Sequence, residues 1–334
     1  MTPSPSKAAS TAHARSPHSV KPFPVLESRR FVFITGKGGV GKTTVSGALA
    51  LAFAARGKRV LVAIPNTKER LSAILGTAPI HDQIVAVAPN VWAVNLSPET
   101  ALREYGQLVL KVKSVTHAVF ENKYTKAFFR AVPGLYEWSM LGKAWWHTTE
   151  TLEDGSPRFD VVLFDAPATG HGLDMLRVPK VILDVVPPGV LRRDAETAWA
   201  LFQDPKRSGV VVVTLPEEMP TTETIELTTT IRKELGLPVL GMIVNGVLPP
   251  LFTPAERASL LSDPKLLDVR APAHFAGTGD SAVVAGARRA VREKVQAESL
   301  ERLLRECSVP SILLPFLFDE ASTVEGTRIL AAKL

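Results

Sequence analysis

Phe31-Val32-Phe33-Ile34-Thr35-Gly36-Lys37-Gly38-Gly39-Val40-Gly41-Lys42-Thr43-Thr44 is the stretch that decides the fold. Its first five residues are apolar, aromatic or β-branched and stop at a glycine, which reads as a buried strand. Residues 43–56 are rich in Ala and Leu and end at Gly57, which reads as a helix. The glycines between them let the backbone curl into a nest of N–H groups, and the helix N-terminus adds positive potential. A loop in that context is a phosphate cradle, so the chain is expected to bind a nucleoside triphosphate through a P-loop spanning Gly36, Lys37, Gly38, Gly39, Val40, Gly41, Lys42, Thr43 and Thr44. Lys42 is expected to bridge the β- and γ-phosphates, and the Thr43 hydroxyl to ligate Mg²⁺.

Further strands follow the first. Residues 60–64, 159–164, 210–215, 239–244 and 311–314 are short, nearly continuous apolar runs. Helical patterns such as residues 221–235 separate most of them. Continuous apolar strands alternating with helices predict an α/β fold, a mostly parallel, doubly wound P-loop NTPase sheet covered on both faces. Two stretches break the alternation. Residues 98–151 show no strand pattern and carry Tyr105, Phe120, Tyr124, Phe128, Phe129, Tyr136, Trp138, Trp145 and Trp146, with Val132-Pro133-Gly134 as a break. Residues 279–306 read mainly as one long charged helix. Together they predict an α-helical subdomain inserted into a sheet domain covering residues 29–334.

Composition limits the alternatives. Of 334 residues, 46% are hydrophobic and 22% charged, which is ordinary for a globular chain. No apolar run reaches the length of a membrane span. The net charge is +6 with a pI near 9.4. Its Lys and Arg are scattered, so nucleic acid is not an expected partner and membrane contact is at most peripheral. Residues 1–28 are rich in Ser, Pro and Ala, lack the apolar stretch of a secretory signal, and read as a disordered tail. Cys307 is the one cysteine, which excludes an internal disulfide and a cysteine-based zinc site. A cytoplasmic location is expected.

Lys37 sets this loop apart, because an ordinary P-loop needs no second lysine. Lys37-Gly38-Gly39-Val40-Gly41-Lys42-Thr43 resembles the deviant P-loop of dimeric ATPases that include ParA, MinD, the nitrogenase iron protein and the ArsA-type ATPases. The resemblance implies that Lys37 reaches a partner's nucleotide and stabilises charge developing on its phosphates, as an arginine finger does. The strand at 159–164 leads into Asp165-Ala166-Pro167-Ala168-Thr169-Gly170-His171. An acid at the C-terminal end of a parallel strand lies where ligands bind in such sheets. Asp165 is therefore a candidate to hold Mg²⁺ through water, with Gly170 letting the loop respond to the γ-phosphate.

That segment, continuing through Gly172-Leu173-Asp174-Met175-Leu176-Arg177, resembles switch II of the ArsA-type family, which contains arsenite-pump and tail-anchored-protein-targeting ATPases. Pro216-Glu217 with Glu223-Thr224, Ile243-Val244-Asn245 and Leu314-Pro315-Phe316 resemble three further family segments in order. Ala131 to Glu137, with Leu141-Gly142-Lys143, resembles the helical insert of bacterial members. The resemblance runs from about Arg29 to Leu334. It implies ATP and Mg²⁺ as ligands, an adenine contact from Asn245, and places near the nucleotide or dimer interface for Pro167, Glu217, Pro315 and Phe316. It also implies a homodimer or a heterodimer with a paralogous ATPase, and a protein client with an apolar helix that the aromatic stretch could receive.

Switch I departs from the family pattern. The family has an acid after the second strand that orients the attacking water. Here the chain reads Ala63-Ile64-Pro65-Asn66-Thr67-Lys68-Glu69-Arg70, which puts Ile64 or Asn66 in that position. Asn66 could position water but cannot accept its proton. Glu69 serves only if the register slips. Hydrolysis is therefore expected to be slow, or the chain acts as a regulatory subunit beside an active paralogue. A third reading is a ParA- or MinD-like surface-patterning ATPase, with residues 326–334 as an amphipathic membrane helix, although packing of that segment on the sheet is the favoured expectation. A single cysteine leaves no arsenite site.

Overall fold

Side-chain alternation along the strands divides the core into two layers. Val32, Ile34, Val62, Leu163 and Val213 face one side of the sheet, and Phe31, Phe33, Leu61, Phe164 and Val212 the other. Both sets are buried, which is why the strands read as unbroken apolar runs. The strands are β1 (Phe31–Thr35), β2 (Val60–Pro65), β3 (Val85–Ala88), β4 (Val91–Leu96), β5 (Val161–Asp165), β6 (Ser208–Thr214), β7 (Val239–Val247) and β8 (Ser311–Pro315). The computed structural model describes residues 26–65, 68–110, 134–262, 279–318, 320 and 323–334. Among these, one sheet forms in the order β3-β4-β2-β5-β1-β6-β7-β8, and every pairing is parallel except that of β3 with β4.

Helices α1 (Lys42–Ala55), α2 (Leu71–Leu75) and α10 (Val324–Ala331) cover the face that carries Ile34 and Leu163. The opposite face takes α4 (Leu135–Trp146), α5 (Thr169–Val185), α6 (Val190–Gln203) and α7 (Glu218–Lys233). Phe31, Phe33 and Phe202 meet there with centroids 4.8–5.0 Å apart. Each such fully buried ring contributes on the order of 2–3 kcal/mol through the apolar surface it removes from water. Helix α3 (Pro98–Leu110) packs on α4. The Tyr105 hydroxyl donates to Asp194 on α6 at 2.9 Å.

Several expectations meet the structure with changes. The fold class holds. Strands β3 and β4 were not assigned from sequence; β3 is an exposed, antiparallel edge strand of four residues, too short to show a period. The strand expected over 159–164 begins at Val161, because Asp160 turns back to accept the Arg59 backbone N–H at 2.7 Å. It therefore ends on Asp165. Residues Leu26–Ser28, expected in the tail, form a short 3-10 turn with Leu26 buried. The rest of that tail, residues 1–25, lies outside the described residues, as do residues 111–133 with Phe120, Tyr124, Phe128 and Phe129.

The described aromatics of residues 98–151 divide between core and surface. Trp138 and Trp145 are buried, and Trp146 is 43% exposed. The C-terminal helix α10 turns Thr327 and Leu330 into the core against α1, so its apolar face is already covered. That packing removes the membrane-helix reading. No helix among the described residues is long and apolar enough to cross a membrane.

The long helix α9 (Gly279–Cys307) packs on α7 and on α8 (Pro254–Leu261). It also clamps the loop after β7. Glu293 Oε1 accepts from the Leu251 backbone N–H at 2.8 Å and from Arg289 Nε at 2.9 Å. Gln296 exchanges hydrogen bonds with the Leu248 backbone at 2.8 and 2.9 Å. Burial opposes the Glu293 charge, but the Leu251 N–H and Arg289 outweigh it and hold the carboxyl below its usual value. A depressed carboxylate contributes stability that is full above its unfolded value of 4.5 and fades as pH falls through the lower folded value. Glu293→Ala is expected to lower unfolding free energy in urea by about 2 kcal/mol at neutral pH. The gap from wild type should shrink as pH falls below 4.5 and through the lower folded value.

Candidate functional site

Strand β1 lies between β5, which ends on Asp165, and β6. The P-loop leaves β1 at Gly36, where the chain runs so close to β6 that a Cβ would sit 2.1 Å from the Val213 carbonyl oxygen. Gly36, Gly39 and Gly41 have φ of 149°, 85° and 88°, a region that side chains disfavour. Gly41 ends the loop in a left-handed turn and opens α1, with Val45 N–H donating to its carbonyl at 2.9 Å. Val40 is buried beneath the loop, while Gly38 and Gly39 are exposed.

Lys42 folds back along this loop. Its Nζ donates to the Gly36 carbonyl at 3.1 Å and the Lys37 carbonyl at 2.9 Å. Burial pulls the ammonium below its usual pKa, and the nearby Asp165 partly offsets that. An amine with carbonyl acceptors on one side still carries its charge into the cradle, which suits an anionic ligand.

Asp165 is the last residue of β5 and shares the α1 side with Val161 and Leu163. It is buried. Its Oδ2 accepts from Thr43 Oγ1 at 2.7 Å, and its Oδ1 from Ser46 Oγ at 3.0 Å. Burial pushes the carboxyl upward, against these two hydrogen bonds and the charge of Lys42. A hydroxyl and a carboxylate that already touch form a hard oxygen donor set of the kind Mg²⁺ takes. The residues present therefore fit the metal.

The loop after Asp165 packs against the P-loop. A Cβ on Gly38 would lie 3.7 Å from Ala168 Cβ. The glycine demanded by close packing here is Gly172, where a Cβ would meet the Pro167 carbonyl oxygen at 2.6 Å; one on Gly170 would meet nothing within 4 Å. Thr44 is half-buried on the first turn of α1.

Lys37 pairs with Glu223 on α7, a contact within one chain. Sequence reading quoted Glu223 inside a matched segment but gave it no role. Its other oxygen, Oε2, is buried without a hydrogen-bond partner. Asn245, near the end of β7, donates from Nδ2 to the Val40 carbonyl at 3.0 Å, which ties that strand to the P-loop. Phe316 follows Pro315 at the end of β8, with its N–H on the Val247 carbonyl at 2.9 Å and its ring beside Gly246. Phe316 stacks edge-on with exposed Phe318 at 4.9 Å. Glu217 is an exposed residue at the N-terminus of α7. Sequence reading missed Ser46; the signal was a lone hydroxyl one helical turn after Thr43 in an otherwise apolar helix.

Switch I is only partly in view. Asn66 and Thr67 lie outside the described residues. Ile64 is buried within β2, paired with Asn95 of β4. Glu69 caps α2, accepting from the Ser72 N–H at 2.6 Å and the Ser72 hydroxyl at 2.7 Å. Its carboxylate is committed to the start of that helix.

Comparison with known proteins agrees with this geometry. The family profile described as "Anion-transporting ATPase" (ArsA) matches residues 29–187, from the strand before the P-loop through switch II. Over those residues the chain carries the ArsA-type ATPase profile. "ATPase BagA" of Mycobacterium tuberculosis is 26% identical over 314 residues, covering 88% of this chain and 89% of that protein. A "Putative arsenical pump-driving ATPase" of Halobacterium salinarum is 26% identical over 92% of this chain, which spans only 44% of that longer protein. An Escherichia coli "Arsenical pump-driving ATPase" is 29% identical over 66% of this chain and 40% of its own length.

Two glycines separate steric need from backbone preference. Gly36→Ala is expected to cost at least about 3 kcal/mol of stability, because its Cβ meets backbone. Gly39→Ala, with open space around its Cβ, should cost only about 1 kcal/mol. Urea unfolding of both variants checks the difference.

Proposed function

We propose that this ArsA-type chain is an ATP-binding dimeric switch that hydrolyses ATP slowly. The observation that carries the reading is the P-loop itself, with Lys42 along its inner wall and Thr43 already against Asp165. Mg²⁺ held by Thr43, with Asp165 behind a bound water, would neutralise charge on the β- and γ-phosphates. The protein's own groups do the rest. The nest N–H groups and Lys42 orient the phosphates, and Lys37 leaves Glu223 to reach the nucleotide of a second subunit.

Asn245 gives a basis for choosing the base. One hydrogen of its amide nitrogen is engaged by the Val40 carbonyl, which fixes the amide plane and leaves Oδ1 as an acceptor beside the second N–H. An acceptor suits the exocyclic amine of adenine and opposes the carbonyl that guanine carries in its place. Phe316 and Phe318 add an exposed aromatic wall near the same strand ends.

Slow turnover follows from the second strand. Among the described residues after β2 the one carboxylate in reach by sequence, Glu69, is occupied as a helix cap. The same observation favours a second reading, a regulatory subunit that binds ATP without hydrolysing it and pairs with an active paralogue. In either case, nucleotide closure would shift the helices within 98–151 and 279–306. A client with an apolar helix belongs to this proposal, although burial of Trp138 and Trp145 leaves Trp146 as the exposed aromatic of α4.

Fluorescent-nucleotide binding and phosphate release from the same samples test the reading. Lys42→Ala should abolish ATP binding. GTP should compete at least about tenfold less well than ATP. Wild-type turnover should be measurable but low, and Glu69→Gln should leave it unchanged. Fast turnover that vanishes in Glu69→Gln would overturn the switch I argument.

A further inference from the structure

Asp165 is held by two hydroxyls on one helix, and they are not equivalent. Thr43 stands on the first turn of α1, half-buried at the mouth of the P-loop, and meets Oδ2 at 2.7 Å. Ser46 lies one turn deeper, fully buried, and meets Oδ1 at 3.0 Å. Residues three apart on a helix share a face, so the pair grips the carboxylate from one side like two prongs. Thr43 serves two partners: its hydrogen goes to Asp165, and its lone pairs are left for a cation. Ser46 serves the carboxylate alone, closed off from solvent.

We propose that Ser46 is the positioning residue of the Mg²⁺ site: it fixes Asp165 through Oδ1 so that Oδ2 stays aimed at Thr43, the pair that would hold Mg²⁺. The inference rests on the ATP- and Mg²⁺-binding reading above and adds a division of labour between the two carboxylate oxygens. A hydrogen bond to one oxygen fixes the plane of the carboxylate and hence the direction of the other. Without Ser46, Oδ1 is a buried acceptor with no donor. The carboxylate then gains by turning to find another donor for Oδ1, which swings Oδ2 off Thr43 and loosens the direction of the hydroxyl that would face the metal. The P-loop backbone and Lys42, which carry metal-free phosphate binding, are untouched by that rotation.

The test is a Mg²⁺ titration of fluorescent ATP-analogue binding, run beside binding in EDTA and the melting temperature of the ligand-free protein. Ser46→Ala should leave affinity in EDTA unchanged and raise the Mg²⁺ concentration for half-saturation by at least about tenfold. Ser46→Thr, which keeps the hydroxyl, should restore the wild-type value. An unchanged Mg²⁺ requirement in Ser46→Ala overturns the proposal. So does an equal loss of binding with and without metal, which would mark Ser46 as purely structural. If Ser46→Ala fails to fold, Ser46→Cys, close in volume but a weak donor, takes its place with the same expected shift. A wild type that binds nucleotide without any effect of Mg²⁺ overturns the functional reading and this inference together, whereas a shift missing only in the variants overturns this inference alone.

Discussion

The link between Asp165 and α1 is the contact on which the rest of the site depends. It joins the last residue of β5 to the helix that opens at the P-loop, through Thr43 and Ser46. A carboxylate removed from water persists only where donors replace its hydration, and here both donors come from the helix that carries the phosphate loop. The geometry follows from parity along the strand. Val161, Leu163 and Asp165 share one side, two apolar residues pack under α1, and the third position delivers the acid. Because β5 and β6 both flank β1, the loops after all three strands meet at one edge of the sheet, where doubly wound folds place their ligands.

How legible the sequence was depends on the range over which each feature is encoded. The P-loop is local: strand, glycines and helix lie within a few turns, and their chemistry can be read directly. Inner strands were legible because both of their faces are buried. Edge strand β3 was not, since two of its four residues are exposed and its partner is antiparallel. The first residues expected in the 159–164 strand were lost to a turn at Asp160 that only the contact with Arg59 explains. The least legible features were pairings across the chain. Ser46 meets Asp165 across 119 residues, and Lys37 meets Glu223 across 186. Each residue is ordinary in its own window; the topology makes it a site residue.

Among the described aromatics of residues 98–151, Trp138 and Trp145 fill the layer between α4 and the sheet. The amphipathic C-terminus likewise spends its apolar side on α1. In both cases the burial answers the demand of a large sheet for cover on each face.

Lys37 connects this fold to the proposed switch. In the single chain it is neutralised by Glu223, so crossing to a second subunit exchanges one anion for another, a carboxylate for a phosphate. Size-exclusion chromatography with light scattering, on wild type and Lys37→Ala with ADP, ATP and a transition-state mimic, tests this most directly. The account predicts that wild type is monomeric with ADP and dimeric with ATP or the mimic, and that Lys37→Ala binds ATP but stays monomeric. A wild type that remains monomeric with every nucleotide, or a Lys37→Ala variant that dimerises as wild type does, would contradict it.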